Sequence, residues 1–355
     1  MTAKAFAPGG VAHIRALIDR AIQNESRTAT VTGNWEIDEA IRLPSNFTLI
    51  LDGCHLRLAD GSFTNLFVNE HHGTELGRTV AGTDRNVSIL GRNGAILDGG
   101  SYNGLSEKTQ NQNGMPPIWK NNLVLFTNVD GFTVRGIHCR NQRWWALNFL
   151  WCANGYLGDL DFCASDLAID EDGNEYHGLL RDRYADVVVK NADGIDLRCG
   201  CHDIVIENVT GFTEDDTVAL TALRGSMEQQ FAVEGRPDDI CRVQIRNVRA
   251  SAYCSIVRLL NQGGTRLHDI VLDGVYDTSR ECPHLDHGRY AVRIGDGKHL
   301  YGSRHSTADE TYNITVKNVY GRGICVLALA GAMENVVFYG IEAAEGTRML
   351  LDERN

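Results

Sequence analysis

The chain has 355 residues, of which 43% are hydrophobic and 23% are charged, proportions typical of a folded protein rather than a disordered one. Its formal net charge at pH 7 is −12, which argues against nucleic acid as a partner because phosphate binding requires clustered Lys and Arg. No segment approaches the roughly 18 consecutive apolar residues of a membrane-spanning helix, so we expect no membrane partner.

The first predicted element is an amphipathic helix over residues 11–23. Its apolar residues recur at helical spacing, and Asn24 with Ser26 can end it. These apolar residues are Val11, Ile14, Leu17, Ile18 and Ile22.

Two features bear on the cellular compartment. The N-terminal segment lacks the apolar core of a secretory signal peptide, which predicts a cytoplasmic protein, or a secreted one if the N-terminus has been trimmed. The ten cysteines are scattered through strand-like runs without paired metal-ligand spacing. We therefore expect buried free thiols, and neither a metal site nor a cofactor.

After the helix, one short pattern recurs: a polar residue, alternating apolar residues, Asn or Gly, and further apolar residues. Examples are CHDIVIENVTGF, CRVQIRNVRAS and TYNITVKNVYGR. Equivalent positions are 24 residues apart from Phe132 to Tyr156 and 22 apart from Ile314 to Val336. A period of about 20–30 residues predicts a solenoid, because each unit must bury its apolar face against its neighbours. Strands without intervening helices favour an all-β parallel β-helix.

The domain prediction follows from this repeat. Residues 1–355 are expected to form a single β-helix domain, with the helix over 11–23 capping the open end. A chain of β-sandwich domains is the alternative, which the regular spacing disfavours. Insertions in a solenoid usually lie on one face, so we expect the stretches that break the repeat to wall a cleft. These stretches are roughly 69–84, 101–120, 166–183 and 224–238.

The most informative motifs are NADGIDL (191–197) and TEDDTVALTAL (213–223). Asp193 and Asp215 are 22 residues apart, about one coil, and stacked strands lie about 4.8 Å apart, so Asp193, Asp215 and Asp216 should meet in one patch. Carboxylates that close raise one another's pKa, which leaves an acid beside a base. Glycoside hydrolysis requires such a pair. Either motif alone is also compatible with an ordinary solvated turn.

These motifs, with GRNGAILDGG (91–100) and the run over 128–162, resemble glycoside hydrolase family 28, the polygalacturonase and rhamnogalacturonase group of pectin-lyase-like proteins. The resemblance extends over most of the chain. It implies a single-stranded right-handed parallel β-helix and an inverting hydrolase, in which Asp215 is the general acid and Asp193 with Asp216 activates water. Two alternatives stay open: a lyase, epimerase or transglycosylase on the same fold, and a non-catalytic carbohydrate-binding β-helix.

Further residues are predicted to contact an oligosaccharide or polysaccharide. Asn191 and Asp196 belong to the first motif, and Arg258 matches the Arg of the family's Arg-Ile-Lys segment. Trp145 is a candidate stacking platform for a sugar ring, although strand alternation turns either it or Trp144 inward.

Two departures from the family pattern bear on the substrate. Leu260 stands where the Lys of Arg-Ile-Lys is expected, and no Gly-His-Gly segment lies between Leu223 and Asp239. An apolar side chain in place of a cation is unfavourable for a uronate carboxylate. The departures therefore favour a neutral sugar, a uronate held differently, or another reaction.

Overall fold

The computed structural model describes residues 5–101, 119–142, 145–164, 168–169, 175–176, 193–285, 287–298 and 302–354. Within these ranges the helices are α1 (Gly10–Gln23), α2 (Ser226–Gln229) and a 3-10 turn over Leu76–Arg78. Strands β1 to β12 are Thr28–Val31, Asn34–Ile37, Ile41–Leu43, Phe47–Asp52, His55–Leu58, Phe67–Asn69, Asp84–Arg92, Ile96–Asp98, Val124–Thr127, Val129–Arg140, Trp145–Leu150 and Ala153–Cys163. Strands β13 to β25 are Ala168–Ile169, Glu175–Tyr176, Asp193–Arg198, His202–Thr213, Val218–Ala222, Ile240–Ala252, Ser255–Asn261, Leu267–Asp277, Tyr290–Ile294, Thr311–Gly321, Cys325–Leu329, Glu334–Ala343 and Arg348–Asp352.

Two long parallel sheets enclose one apolar core. The first has the order β1-β4-β7-β10-β12-β16-β18-β20-β22-β24, and β2, β5 and β8 branch from it. The second has the order β3-β6-β9-β11-β15-β17-β19-β21-β23-β25. Successive coils therefore hydrogen-bond to each other in both sheets. The fold is a right-handed parallel β-helix, which confirms the fold class predicted from the repeat.

The core consists of apolar columns that run along the stack of coils. Strand alternation turns every second side chain inward, and parallel pairing places equivalent side chains on top of one another. The core is therefore continuous from coil to coil. One column, fully buried throughout, comprises Leu49, Ile89, Val134, Leu157, Ile206, Ile245, Leu272 and Val316.

The Asn residues that precede β-branched runs form bends within the long strands. Asn208 and Asn247 have φ values of 56° and 49°, in the left-handed region that Asn tolerates better than most residues. Their side chains also link the coils: Asn247 Nδ2 donates to Asn208 Oδ1 at 2.8 Å, and Asn208 Nδ2 donates to Asp159 Oδ1 at 3.0 Å. The recurrent Asn of the sequence pattern is thus a turn residue and an inter-coil contact.

Helix α1 packs on the first coil, as the spacing of its apolar residues predicts. Val11, Ile14 and Ile18 are buried in the same cluster as the first strands, and the helix begins one residue before the predicted start. In the described part of the chain, no helix is both long and apolar enough to cross a membrane.

All ten cysteines lie in described segments and none of them forms a disulfide bond. Seven are buried, among them Cys139 and Cys201, whose thiol pKa burial raises to about 12. They serve as small core residues, as predicted from their scattered positions.

Candidate active site

Strand β15 carries two of the predicted acidic residues. Ile195 and Leu197 point into the apolar core, so Asp196 and Arg198 face outward from the second sheet. Both outward residues are nevertheless buried. The outer face of β15 is therefore covered.

The Asp pair of the second motif lies in the turn before β17. The pairing of Ile195 with Val218 sets an offset of 23 residues between these coils, so Asp193 lies beside Asp216 rather than Asp215. The backbone N–H of Asp216 donates to Asp193 Oδ1 at 2.8 Å. Carboxylate oxygens of Asp193, Asp215 and Asp216 lie within 4.8 Å of one another. The structure thus brings together the three residues that the sequence places in one patch.

Burial changes the acidity of this cluster. Burial first, and then the neighbouring carboxylates, raise the pKa of Asp193 well above its usual range. The pKa of Asp196 is raised to about 7 by burial, with Arg198 opposing the shift. The pKa of Asp216 is raised to about 6 by burial, with Arg258 opposing it. The cluster therefore retains protons at a pH where exposed carboxyls are ionised.

Arg258 lies on β19, in register with Ala219 and Arg293 of the neighbouring coils. Its guanidinium contacts Asp216 Oδ2 at 3.3 Å and Asp296 Oδ2 at 2.7 Å, and Arg293 binds the other oxygen of Asp296 at 2.7 Å. The sequence interpretation missed Asp296 and Arg293. The repetition of SIVRLL as YAVRIG one coil later is the pattern that indicates Arg293.

Trp145 is 8% exposed and lies under Arg198, whose Cζ is 3.8 Å from the centre of the ring. Trp119 packs against it with ring centroids 5.1 Å apart. The guanidinium of Arg198 therefore covers one face of the Trp145 ring. The contact of Trp145 with a sugar ring stays a prediction. Asn191 and Trp144, the other predicted contacts nearby, lie outside the described residues.

The insertion at 224–238 contributes directly to the site. Its short helix α2 places Glu228 against Arg198, with Glu228 Oε1 2.8 Å from Arg198 Nη1. Phe231 and Val233 of the same insertion pack with Trp119 and Trp145 in an apolar cluster. The sequence predicts that this insertion borders the cleft, but it does not indicate Glu228. Most of the insertions over 101–120 and 166–183 lie outside the described residues.

Two groups of described side chains have donor atoms spaced closely enough for a cation: the Asp193, Asp215 and Asp216 cluster, and Glu70 with His71 and Asp84. Asp84 already accepts hydrogen bonds from Ser45, Asn69 and the backbone of His71. Asp216 is contacted by Arg258, and Asp193 by a backbone N–H. Donors of the chain therefore contact Asp84, Asp193 and Asp216.

Comparison with known proteins assigns the family. The family model of the glycosyl hydrolases family 28 matches residues 50–233, more than half of the chain. The chain belongs to this family. It is a family 28 glycosidase, which confirms the resemblance drawn from the motifs. A search of curated proteins found no match.

Solved structures similar to this family 28 glycosidase support the fold. An exopolygalacturonase from Thermotoga maritima is 14% identical, with 94% of this chain and 87% of that chain covered and a TM-score of 0.52. A polygalacturonase from Erwinia carotovora ssp. carotovora is 14% identical, with 96% and 92% covered and a TM-score of 0.50. A tailspike protein of E. coli bacteriophage HK620, solved with a pentasaccharide, is 16% identical, with 98% and 62% covered and a TM-score of 0.52.

The family 28 glycosidase departs from the family pattern where a uronate-binding cation is expected. Leu260 is paired with Thr221 in the second sheet and is buried. Because its side chain is apolar, this position presents no ammonium group to a substrate. The segment between Leu223 and Asp239, where Gly-His-Gly is expected, instead forms α2 and the loop that packs on Trp119.

Proposed function

We propose that this glycosidase hydrolyses a glycosidic bond of an oligosaccharide or polysaccharide through Asp193, Asp215 and Asp216. The observation that carries the proposal is the mutual approach of the three carboxylates within 4.8 Å. Asp215 is only partly buried, whereas Asp193 is 7% and Asp216 2% exposed. The most accessible carboxyl is suited to the leaving oxygen, and the buried pair is suited to holding a water molecule.

These positions support the following reaction. Asp215 donates its proton to the glycosidic oxygen as the bond from that oxygen to the anomeric carbon breaks. A water molecule held by Asp193 and Asp216 attacks the anomeric carbon and gives its proton to Asp216, which a pKa of about 6 leaves ionised near neutral pH. The net change is addition of water across one glycosidic bond. Solvent exchange then returns the proton to Asp215.

We further propose that the reaction inverts the anomeric configuration. Inverting enzymes usually separate two carboxyl groups by about 6.5–9.5 Å, and retaining enzymes by about 5–5.5 Å, so the short spacing alone favours retention. Here, however, three carboxylates share the site, and family resemblance assigns two of them to water. Proton NMR of the first-formed product decides the matter: a new anomer opposite to the substrate's supports inversion, and the same anomer contradicts it.

A neutral sugar is the substrate that these charges favour at the subsite beside Arg258. Arg258 is held between Asp216 and Asp296, and Arg293 is bound to Asp296. A uronate carboxylate would have to compete with these buried carboxylates for the same guanidinium groups. Neutral oligosaccharides should therefore be cleaved faster than uronate oligosaccharides of the same linkage and length.

The decisive experiment is a reducing-end assay on neutral, rhamnose-containing and pectic oligosaccharides, with ultraviolet absorbance followed in parallel. Asp215→Asn should lower kcat by about 10²-fold or more, because Asn cannot donate the proton. Asp19→Asn, an exposed residue of α1, is the matched control and should retain wild-type activity. Formation of an absorbing unsaturated sugar, or turnover indifferent to Asp215→Asn, would contradict the hydrolytic mechanism.

A further inference from the structure

Arg198 is a buried cation within the active site that the proposed reaction does not use. Its side chain is 5% exposed, and that of its partner Glu228 is 3% exposed. Arg198 Nη1 is 2.8 Å from Glu228 Oε1, whereas Arg198 Nη2 is 3.5 Å from Asp196 Oδ1. The shorter contact shows that the guanidinium is engaged mainly by the residue from the insertion.

The position of Arg198 is fixed from several sides. Its guanidinium stacks on Trp145, and Trp119 lies within 5.6 Å. Because Trp145 pairs with Asp193 across β11 and β15, this cage adjoins the acidic cluster. A cation held there exerts a steady electrostatic effect on the carboxylates that it faces.

Asp196 is the carboxyl that links Arg198 to the cluster. The groups that affect its protonation are Arg198, which favours ionisation, and Asp216 and Asp215, which oppose it; a hydrogen bond with Asp193 favours ionisation. In the low-dielectric interior, Glu228 cancels much of the field of Arg198. Without that cancelling charge, Asp196 and its neighbours would ionise at lower pH.

We propose that Glu228 is a positioning residue of the hydrolytic reaction: by balancing the charge of Arg198, it sets the protonation of Asp196 and of the acidic cluster beside it. This inference rests on the proposed function of that cluster. If Glu228 acts in this way, the 224–238 insertion affects the protonation of the catalytic carboxyls through a residue that does not contact the substrate.

The first test is the pH dependence of kcat for Glu228→Gln, which keeps the size of the side chain but removes its charge. Both limbs of the profile should move to lower pH by about one unit, because Arg198 then acts unopposed on the carboxylates. Glu234→Gln makes the same charge change at an exposed position of the insertion and should leave the profile unmoved. Glu228→Asp, which keeps the charge, should restore most of the wild-type profile.

Reversing the charge change provides a second test. Arg198→Gln should shift the profile to higher pH, and the double variant with Glu228→Gln should return it toward that of wild type. If Glu228→Gln instead lowers kcat equally at every pH, Glu228 only supports the packing of the insertion and the proposal is wrong. The Glu228→Gln profile distinguishes these two roles even if Arg198→Gln does not fold.

A measurement without substrate separates this proposal from the function on which it rests. The infrared absorption of the protonated Asp196 carboxyl, obtained as the difference between wild type and Asp196→Asn, should disappear at lower pH in the Glu228→Gln background. An unchanged titration would overturn the proposal even in an active enzyme. Failure of the wild type to cleave any glycoside would contradict the proposed function, while the infrared titration still decides the link between Glu228 and Asp196.

Discussion

At the residue scale, the acidic cluster lowers the stability of the folded protein at neutral pH. Asp196 is fully buried, and its pKa is raised to about 7. Below about pH 3 this carboxyl is protonated in both the folded and the unfolded chain, so it does not lower the free energy of unfolding. As the pH rises toward 7, the unfolded chain loses the proton first, and the free energy of unfolding falls.

Asp196→Asn should remove this pH dependence. We expect the variant's gain in unfolding free energy over wild type to be small below pH 4 and to grow with pH to about 4 kcal/mol above pH 7. Urea denaturation at several pH values measures the difference, and Asp19→Asn serves as the exposed control. A difference that stays flat from pH 5 to pH 8 would show that Asp196 does not titrate in this range.

The sequence predicts the meeting of the three aspartates but not the groups that control them. Periodicity places residues along the stack, although the true offset of 23 residues pairs Asp193 with Asp216 instead of Asp215. Glu228 reaches the site from an insertion, and no repeat spacing constrains an insertion. Asp296 lies two residues after the end of β21. The repeat pattern of the strands does not predict the direction of the chain there.

At the element scale, the repeat predicts strands and bends well because each coil requires the same extended segments and the same left-handed bend residue. The bend before Val248 falls on Asn247, whose positive φ is tolerated by Asn and Gly and unfavourable for β-branched residues. The sequence pattern of Asn or Gly followed by an apolar run therefore has a direct backbone cause. The insertion helix α2 has no such recurrent cause, and the repeat does not predict it.

Asn247→Val should destabilise the protein by about 1–3 kcal/mol, because Val resists the left-handed conformation and loses the hydrogen bond to Asn208. Asn247→Gly should cost less, since Gly accepts this φ. Gln244→Val, an exposed change in the extended part of the same strand, is the control and should have little effect. Equal losses for Asn247→Val and Gln244→Val in thermal unfolding would show that the bend does not constrain this position.

At the scale of the whole molecule, stability depends on contacts between neighbouring coils, as in other repeat proteins. The active site draws on β15, β17, β19 and β21, which have a coil on either side. Strand β24 differs: Val336 and Phe338 are only partly buried, although they pair with the fully buried Ile314 and Val316. Along the described strands, local stability should therefore decrease toward β24 and β25, away from the site.

Amide hydrogen exchange should reveal this gradient. We expect amides of β24 and β25 to exchange at least about 10-fold faster than those of β16 and β18, because the side chains of β24 and β25 are partly or fully exposed and opening these strands exposes little additional apolar surface. The same experiment on Asn247→Val should accelerate exchange in β18 and its neighbours β16 and β20 before it affects β4, since coupling passes from coil to coil. Uniform protection along the stack, or uniform acceleration by the variant, would instead mean that the β-helix opens as one cooperative unit and that the carboxylate site is lost together with its ends.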